Sequence, residues 1–218
     1  MKKLLLFLSF TFLSVGVFSQ SLTPIKYGLK VGINLANGTF TTDSAGVKLP
    51  ATTMQIGPQV GFVMQIALSE KWFLNPEILY SQKGVKFDYD YKVDIDTTRF
   101  EFTTTTNLVL TYIALNPDIS YRASDKISLN FGPSINYLLS NNLSVSTTIG
   151  KETTESSPEV EDANSIDVGL NLGLSYHFNT HLVLNGRVFT GFLPIETNDK
   201  DLFSMTNRAF TFSVAYLF

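Results

Sequence analysis

The chain has 218 residues, of which 44% are hydrophobic and only 16% are charged, whereas soluble domains average roughly 25% charged residues. The net charge of −3 leaves no basic surface to neutralise many phosphates, so nucleic-acid binding is disfavoured. Cysteine is absent, which excludes disulfides, thiolate metal sites and a lipidated N-terminal cysteine. The length suits one domain, since single all-β barrels commonly reach about 200 residues.

The N-terminus has the pattern of an export signal. Two lysines precede an apolar run over residues 4–18, and small or polar residues follow it, as in a signal peptide. The alternative is a membrane anchor, but about 15 apolar residues are short for a helix that needs about 20 to span a bilayer. We expect cleavage after Ser19 or one residue later, which makes residues 1–19 a signal peptide and residues 20–218 the mature domain.

Beyond residue 25 the hydrophobic period is two, which is typical of strands. The clearest case alternates Ile166, Val168, Leu170, Leu172, Leu174, Tyr176 and Phe178 with Asp167, Gly169, Asn171, Gly173, Ser175 and His177. The pattern predicts eight strands, over about residues 27–36, 56–68, 72–83, 107–121, 127–139, 166–178, 182–193 and 207–218. These are near or above the roughly 9–11 residues that a tilted strand needs to cross a bilayer.

The predicted connections alternate in length. Short turns fall near residues 69–71, 124–125 and 179–181, and long loops cover about 37–55, 84–106, 140–165 and 194–206. Outer-membrane barrels have short periplasmic turns and longer extracellular loops, and an even strand number returns both termini to one side. We therefore predict an all-β fold, an eight-stranded antiparallel up-and-down transmembrane β-barrel with long extracellular loops, in the outer membrane with both termini periplasmic.

Side-chain size predicts which face of each strand points into the barrel and which faces lipid. An eight-stranded barrel has an interior only just wide enough for side chains, so glycine, alanine, serine and asparagine belong inside and the large apolar set faces lipid. Aromatic residues cluster near predicted strand ends, as interfacial girdles should: Tyr27, Trp72, Tyr80, Tyr121, Tyr137, Tyr176 and Phe178. The last strand ends on Tyr216 and Phe218, which resembles the C-terminal signal that the barrel-assembly machinery recognises during insertion.

Two features interrupt the alternation. Four prolines fall within predicted strands, although a closed barrel has no free edge on which proline is normally tolerated, and we interpret them as bulges or non-bonded positions: Pro58, Pro76, Pro117 and Pro133. The apolar parity also slips near residues 82–84 and again near residues 110–113. Both slips indicate bulges or strand ends.

A short motif recurs on the third and fourth predicted strands, as Asn-Pro-Glu at residues 75–77 and Asn-Pro-Asp at residues 116–118. Parity turns Glu77 and Asp118 inward, and Lys30 and Arg187 point inward at about the same depth. We predict a ring of opposite charges that closes the lumen. The alternative is a paired-carboxylate catalyst, in which one carboxyl group stays protonated, but two cations at the same level favour the ionised form of both.

Other polar residues carry weaker signals. His177 and His181 fall at a strand end and in a turn, without the cysteine or carboxylate cluster of a metal site. Residues 151–162 are acidic, and the alternation over residues 85–95 predicts a hairpin arm that continues two strands. Calcium is the alternative for the aspartates of that arm, but they lack the glycine and distal glutamate of a calcium loop. We expect no cofactor, metal or catalytic site.

The ordered motifs resemble the PorT-like outer-membrane β-barrel family of Bacteroidota over essentially the whole mature chain. The matching stretches are residues 27–35, 73–84, 112–115, 131–133, 167–173 and 216–218. The resemblance implies an eight-stranded integral barrel and transfers no catalytic site. The link of PorT itself with type IX secretion does not extend to every member.

The leading functional hypothesis is a non-enzymatic structural or interaction role through the extracellular loops. One alternative is accessory work in secretion or envelope assembly, which requires an envelope or secretion partner. Another is a membrane-embedded enzyme acting on lipid or peptide, which requires catalytic residues at the outer rim. A soluble lipocalin-like carrier is the most distant alternative. We expect a monomer surrounded by outer-membrane lipid, with no nucleic-acid partner.

Overall fold

The computed structural model describes residues 25–41, 52–95, 98–149, 152–158, 163–195 and 204–218. Its strands are β1 Ile25–Thr41, β2 Thr52–Thr53, β3 Gln55–Ala67, β4 Trp72–Ile95, β5 Thr98–Arg122, β6 Ile127–Ile149, β7 Glu152–Ser156, β8 Ile166–His177, β9 Leu182–Pro194 and β10 Ser204–Leu217. A helix long and apolar enough to cross a membrane does not occur in these ranges. The predicted signal peptide, residues 1–19, lies outside them.

Eight strands form a closed antiparallel ring in the order β1, β3, β4, β5, β6, β8, β9 and β10. The ring closes where β1 pairs with β10, from Gly28 opposite Leu217 to Thr41 opposite Ser204. The short β2 and β7 pair with the far parts of β4 and β6 beside the ring. The predicted eight-stranded antiparallel barrel is therefore confirmed, and its closure leaves no free edge within the ring.

Large apolar side chains cover the outer wall, and small or polar side chains fill the interior. On β8, Leu172 is 66% exposed whereas its neighbour Asn171 is 4% exposed. On β4 the exposed apolar belt lies within residues 72–80, which matches the roughly 9–11 residues of a membrane-crossing strand. Trp72 packs on Tyr121 with ring centroids 5.0 Å apart at the end that carries the short turns. The predicted assignment of the two faces is confirmed.

The hairpin arm is also confirmed. The β4–β5 ladder continues without interruption from Trp72 opposite Tyr121 to Ile95 opposite Thr98, so both strands extend well beyond the apolar belt. Strand β6 follows β5 as far as Ile149. These three strands form a wall that projects past one end of the barrel, at the end opposite the short turns.

The prolines occupy non-bonded positions rather than bulges. The β3–β4 ladder has a gap at Pro76, and the β5–β6 ladder has a gap at Pro117 and Pro133. The register is the same on both sides of each gap, so neither strand contains an inserted residue. Pro58 lies just beyond the last β3–β4 pair, which joins Gln59 and Ser81. Because proline has no N–H to donate, the ladder skips these positions while the strand continues.

Both parity slips coincide with an irregularity in a neighbouring ladder. Thr111 pairs with Ser140 and Tyr112 with Leu138, so Leu139 is the extra residue of a bulge in β6. Near residues 82–84 the β4–β5 ladder is unbroken. On the other side of β4, however, the β3–β4 ladder ends at the Gln59–Ser81 pair, and the β2–β4 ladder resumes at Thr53–Lys86 with the register shifted by one residue.

Candidate functional site

The four predicted charges meet inside the barrel, and we call them the lumen charge cluster: Lys30, Glu77, Asp118 and Arg187. The guanidinium of Arg187 donates to both oxygens of Glu77, with Nη1–Oε2 at 2.9 Å and Nη2–Oε1 at 3.1 Å. Arg187 Nη2 also lies 2.7 Å from Asp118 Oδ2, and Lys30 Nζ forms an ion pair with Glu77 Oε1. Two cations and two anions therefore balance within one layer.

The repeated motif positions the two carboxylates. In the β4–β5 ladder Pro76 faces Pro117, so Glu77 lies opposite Asn116 and Asp118 lies opposite Asn75. The two prolines take the lipid-facing positions, while each acid lies beside an asparagine of the other copy in the lumen. Asn116 Nδ2 lies 3.4 Å from Glu77 Oε2. The motif therefore places two acids on adjacent strands at nearly the same depth.

A glycine makes room for one of these acids. A Cβ at Gly132 would lie 2.7 Å from both Asp118 Cα and Asp118 Oδ1, closer than real Cβ contacts allow. Asp118 can occupy the lumen at this level only because the neighbouring strand has no side chain there. Asn171 Nδ2 approaches Asp118 Oδ1 at 3.3 Å from β8.

The lumen charge cluster is almost completely shielded from solvent, with Arg187 at 9% and Glu77 at 3% side-chain exposure. Such burial is tolerable because each charge has an opposite partner, whereas removal of one partner leaves an uncompensated buried charge. A paired-carboxylate catalyst needs an acid that can reach a substrate, but Arg187 Nη1 lies 2.9 Å from Glu77 Oε2 and Nη2 lies 2.7 Å from Asp118 Oδ2, and all three side chains are shielded from solvent. The geometry fits a structural closure of the barrel.

A second polar layer, which was not predicted from the sequence, lies farther from the short turns. Lys83 Nζ donates to Asn136 Oδ1 at 2.8 Å and lies 3.6 Å from the ring centroid of Phe189. Asn207 Nδ2 donates to Asp167 Oδ2 at 3.0 Å. Lys83 has the same parity as Glu77, and Asp167 belongs to the small or polar set of its strand, so parity alone was a signal that could have found both.

Hydrogen-bonded polar side chains also fill the lumen between the charge cluster and the short turns. Ser120 Oγ donates to Asn130 Oδ1 at 2.7 Å, Asn130 Nδ2 donates to Ser175 Oγ at 2.6 Å, and Ser175 Oγ donates to Asn185 Oδ1 at 2.7 Å. At the rim, His177 Nε2 lies 3.0 Å from Ser128 Oγ. The other histidine, in the turn, stacks on Tyr216 with centroids 5.8 Å apart. Within the described ranges no three His, Cys, Asp or Glu side chains form a metal-binding group.

An apolar cluster closes the opposite end of the lumen, and we call it the apolar cap: Val85, Leu108, Leu110, Tyr112 and Ile195, with Phe87, Leu138, Leu143 and Met205 packed against it. Tyr112 joins the cap to the second polar layer, because its hydroxyl accepts a hydrogen bond from Asn207 at 3.1 Å. The cap is a small core of the kind found in water-soluble proteins, built beyond the membrane belt.

The cavities beside these layers are small. One of about 40 Å³ lies beside the lumen charge cluster, and one of about 20 Å³ lies beside Asn34, Lys83 and Asn136. Since one water needs roughly 10–15 Å³ of such space, they hold a few waters at most. The charged layer, the polar layers and the apolar cap thus obstruct the lumen.

Comparison with protein families agrees with this architecture. A family model described as "Outer membrane protein beta-barrel domain" matches residues 18–196. The chain belongs to this family. It is therefore an integral outer-membrane β-barrel protein, with the belt facing lipid and the layers described above inside the barrel. No curated protein sequence matches the chain.

Solved structures of small barrels align over most of the chain at low identity. OprG from Pseudomonas aeruginosa is 13% identical with a TM-score of 0.42, covering 90% of this chain and 97% of that one. Neisserial surface protein A is 10% identical with a TM-score of 0.38, covering 87% and 97%. Ail, the attachment invasion locus protein of Yersinia pestis, is 9% identical with a TM-score of 0.37, covering 88% and 98%. The fold assignment rests on the strand ring and the family match.

The predicted C-terminal assembly signal lies on the lipid-facing side of this outer-membrane barrel. Tyr216 and Phe218 are exposed, with ring centroids 5.4 Å apart. The backbone N–H of Phe218 donates to the carbonyl of Tyr27 at 2.7 Å, which fastens the last residue to the first strand. Both aromatic rings are therefore accessible from the membrane side at the closing seam.

Proposed function

We propose that this outer-membrane barrel is a non-enzymatic structural or interaction module that acts through the loops and arm at the end opposite the short turns. The observation that carries the proposal is the obstructed lumen, which combines the buried charges of Glu77 and Arg187 with the apolar cap. Because the lumen is filled, transport through it is disfavoured, and the loops and arm outside the barrel are the surfaces left for interaction. The β4–β5 arm is the most extended of these surfaces within the described residues.

A planar-bilayer recording tests the closed lumen. We expect refolded protein, with folding checked by heat-modifiability on gels, to give no steady conductance. The reason is that ions would have to pass both the lumen charge cluster and the apolar cap. A reproducible channel of constant amplitude from the folded protein would contradict the proposal.

Deletion of the arm tests the interaction role. Phe87 pairs with Thr106, so replacing residues 88–105 with an Asn-Gly turn should close the hairpin there and keep Phe87 and Leu108 in the apolar cap. Deletion of residues 152–158, which contain β7, is the matched control. We expect the arm deletion to insert normally and to lose capture of an envelope partner, while the control retains it. Lost protein secretion with an intact barrel would instead support the accessory role, and retained capture would contradict a role for the arm.

We also propose the finer topology, with the short turns and both termini in the periplasm and the arm outside the cell. The loop-length asymmetry supports this, and so does the contact of Phe218 with Tyr27, which brings the two ends of the barrel chain together. Protease added to intact cells should cut the arm, whereas the turn at residues 124–125 should be cut only after the outer membrane is opened. N-terminal sequencing of the mature protein tests removal of residues 1–19.

We infer further that the protein belongs to the PorT-like group of Bacteroidota, is a monomer, and meets the barrel-assembly machinery through Tyr216 and Phe218. The motifs at residues 27–35 and 73–84 support the first inference. Exposure of both aromatic rings at the closing seam supports the last. Replacing Phe218 with alanine should lower the amount of assembled barrel in cells without changing the stability of barrel refolded from urea.

A further inference from the structure

The barrel mouth at the short-turn end contains a cluster of cations around an open cavity, which we call the turn mouth. The cavity measures about 270 Å³, and its lining includes Lys26, Arg122 and Lys126 together with His177. Among the described residues of that lining, Asp125 is the only one with a carboxylate. The described ion pairs involve none of the three cations, in contrast to the lumen charge cluster, where every charge has a partner.

Arg122 is held in position without a carboxylate. Its guanidinium carbon lies 4.2 Å from the ring centroid of Phe73, a cation–π contact that fixes the plane of the group. Its Nε is buried and has no hydrogen-bond partner within the described residues. An arginine fork that is fixed by stacking and lacks an acceptor is suited to bidentate contact with a phosphate or carboxylate.

The other cations converge on the same space from separate strands and turns. Lys26 Nζ donates to the carbonyl of Thr180 at 3.0 Å, which fastens the first strand to the turn after β8. Lys26 and Arg122 both lie within electrostatic reach of His177. A concave mouth in which one sign of charge predominates concentrates the field and attracts the opposite ion. Three cations against one acid leave an excess positive charge for a ligand to neutralise.

We propose that the turn mouth binds a phosphate-bearing group, with Arg122 as the principal ligand and Lys26 and Lys126 as supporting cations. The site is small, below the roughly 300 Å³ of ordinary ligand pockets, so it suits a single phosphate group and not a large molecule. Two sources have this chemistry, a lipid headgroup of the adjoining leaflet and a free phosphate-bearing solute. The proposal concerns the end of the barrel opposite the arm and is independent of the function proposed for the arm.

Calorimetric titration of the refolded full chain in an uncharged detergent tests the site, with inorganic phosphate as the probe and chloride at equal ionic strength as the baseline. We expect saturable binding with a Kd below about 1 mM. The variant Arg122→Gln should weaken binding about tenfold, as expected for loss of a charge-assisted bidentate contact. Lys71→Gln is the matched control, because Lys71 is exposed at the same end and lies outside the described lining; its effect should stay below about twofold.

Absence of saturable binding would overturn the proposal, and so would an equal loss in Arg122→Gln and Lys71→Gln, since that indicates only a general surface charge effect. If Arg122→Gln loses heat-modifiability, the double variant Lys26→Gln and Lys126→Gln carries the same test. Nanodiscs then separate the sources. Binding of inorganic phosphate to the barrel in phosphatidylcholine discs supports a free solute as the ligand. Retention of phosphatidic acid by the wild-type barrel but not by the variant supports a lipid headgroup as the ligand.

Discussion

The β4–β5 hairpin passes through two environments on one unbroken ladder, and its two parts have opposite chemistry. In the membrane part the charged residues Glu77 and Asp118 point inward, together with small polar residues and a few apolar ones such as Leu79, and large apolar residues such as Ile78 point outward. In the distal part the inward residues are apolar, as Val85 and Leu110 are. The outward residues there are mostly polar, and Asp88 is exposed.

Lipid or water around the wall, and not strand geometry, determines which face of the hairpin is apolar. Odd-numbered residues of β4 point inward on both sides of the transition, so no side chain changes face between Glu77 and Val85. Lipid surrounds the belt, so the large apolar side chains face outward there. The polar side chains point into the lumen, where they form hydrogen bonds and ion pairs with one another. Beyond the belt water surrounds the wall, and the hydrophobic effect gathers the apolar residues within.

The largest effect is expected in the membrane part. Glu77→Gln removes the main partner of Lys30 and Arg187 and leaves excess positive charge in the lumen. Breaking a buried ion pair in this way costs about 3–5 kcal/mol, which urea unfolding of the barrel in lipid vesicles would measure. Glu70→Gln, in an exposed turn, is the control and should change stability by less than about 0.5 kcal/mol. Equal midpoints for the two variants would show that the lumen charge cluster contributes little.

A charge placed on the outer wall separates the two environments directly. Leu172→Arg puts a cation on the lipid face near the middle of β8 and should cost about 2–4 kcal/mol. Asn142→Arg puts the same charge on the outward face of β6 beyond the belt and should be within about 0.5 kcal/mol of wild type. Vesicle unfolding measures both variants. Similar losses would place Asn142 within the membrane and would move the membrane boundary farther from the short turns.

The third prediction tests whether the apolar cap is a true core. Leu110 is fully buried. Leu110→Ala should lower the local stability of the arm by about 2 kcal/mol. This value is at the low end of the range for buried leucines because the cap is small. Hydrogen exchange of amides around residues 104–112 would report it. Leu172→Ala on the lipid face is the control, with an expected loss below about 1 kcal/mol. Unchanged exchange in Leu110→Ala would mean that the cap does not stabilise the arm.

Strand alternation was sufficient to predict the ring of eight strands and the residues of the lumen charge cluster. A period of two assigns each residue to a face, and the distance from a short turn gives its approximate depth. Lys30 and Arg187 can therefore be placed at the depth of Glu77 and Asp118 from the sequence alone. The contacts themselves, with Arg187 between the two acids, require the closed barrel.

The apolar cap and the second polar layer were not predicted, for a physical reason. Val85 and Phe87 have the same alternation as lipid-facing residues, so the pattern shows that one face is apolar without showing which one. Only the level of the membrane boundary decides this. Lys83 lies immediately below that boundary and has the parity of Glu77, but the apolar alternation slips at residues 82–84, so an inward charge was not inferred there. The bulge at Leu139 could be assigned only to a region.

A glycine in a backbone conformation that other residues rarely adopt lies at the boundary between the two parts. Gly84 has φ of +138°, and a Cβ there would lie 1.9 Å from the carbonyl oxygen of Leu108. Gly84→Ala should cost about 1–3 kcal/mol because of this strain, measured by thermal unfolding in detergent. Gly186→Ala is the matched control, since its added Cβ would meet only Phe212 Cε1 at 4.0 Å. Equal stability of the two variants would mean that the ladder adapts at Gly84 without strain.

The smallest effect concerns a carboxylate that remains in water. Asp88 accepts hydrogen bonds from Thr105 Oγ1 at 2.8 Å and from Thr53 Oγ1 at 2.9 Å. These bonds, above all that from Thr105, hold the pKa of Asp88 below its ordinary value. Since the pKa is lowered on folding, the ionised carboxylate stabilises the arm above the unfolded-state pKa, and this contribution is lost as the pH falls through the folded-state pKa.

Thr105→Val should therefore raise the pKa of Asp88 toward its ordinary value, and an NMR titration of the carboxyl carbon would detect the change. Thr104→Val is the control, because its hydroxyl contacts Thr147 at 3.2 Å and not Asp88. An equal rise in both variants would indicate general loosening of the arm. Asp88 and Glu77 differ in solvation. When a hydrogen-bond donor to Asp88 is removed, water can donate in its place, whereas removal of Glu77 leaves Lys30 and Arg187 buried without a replacement partner.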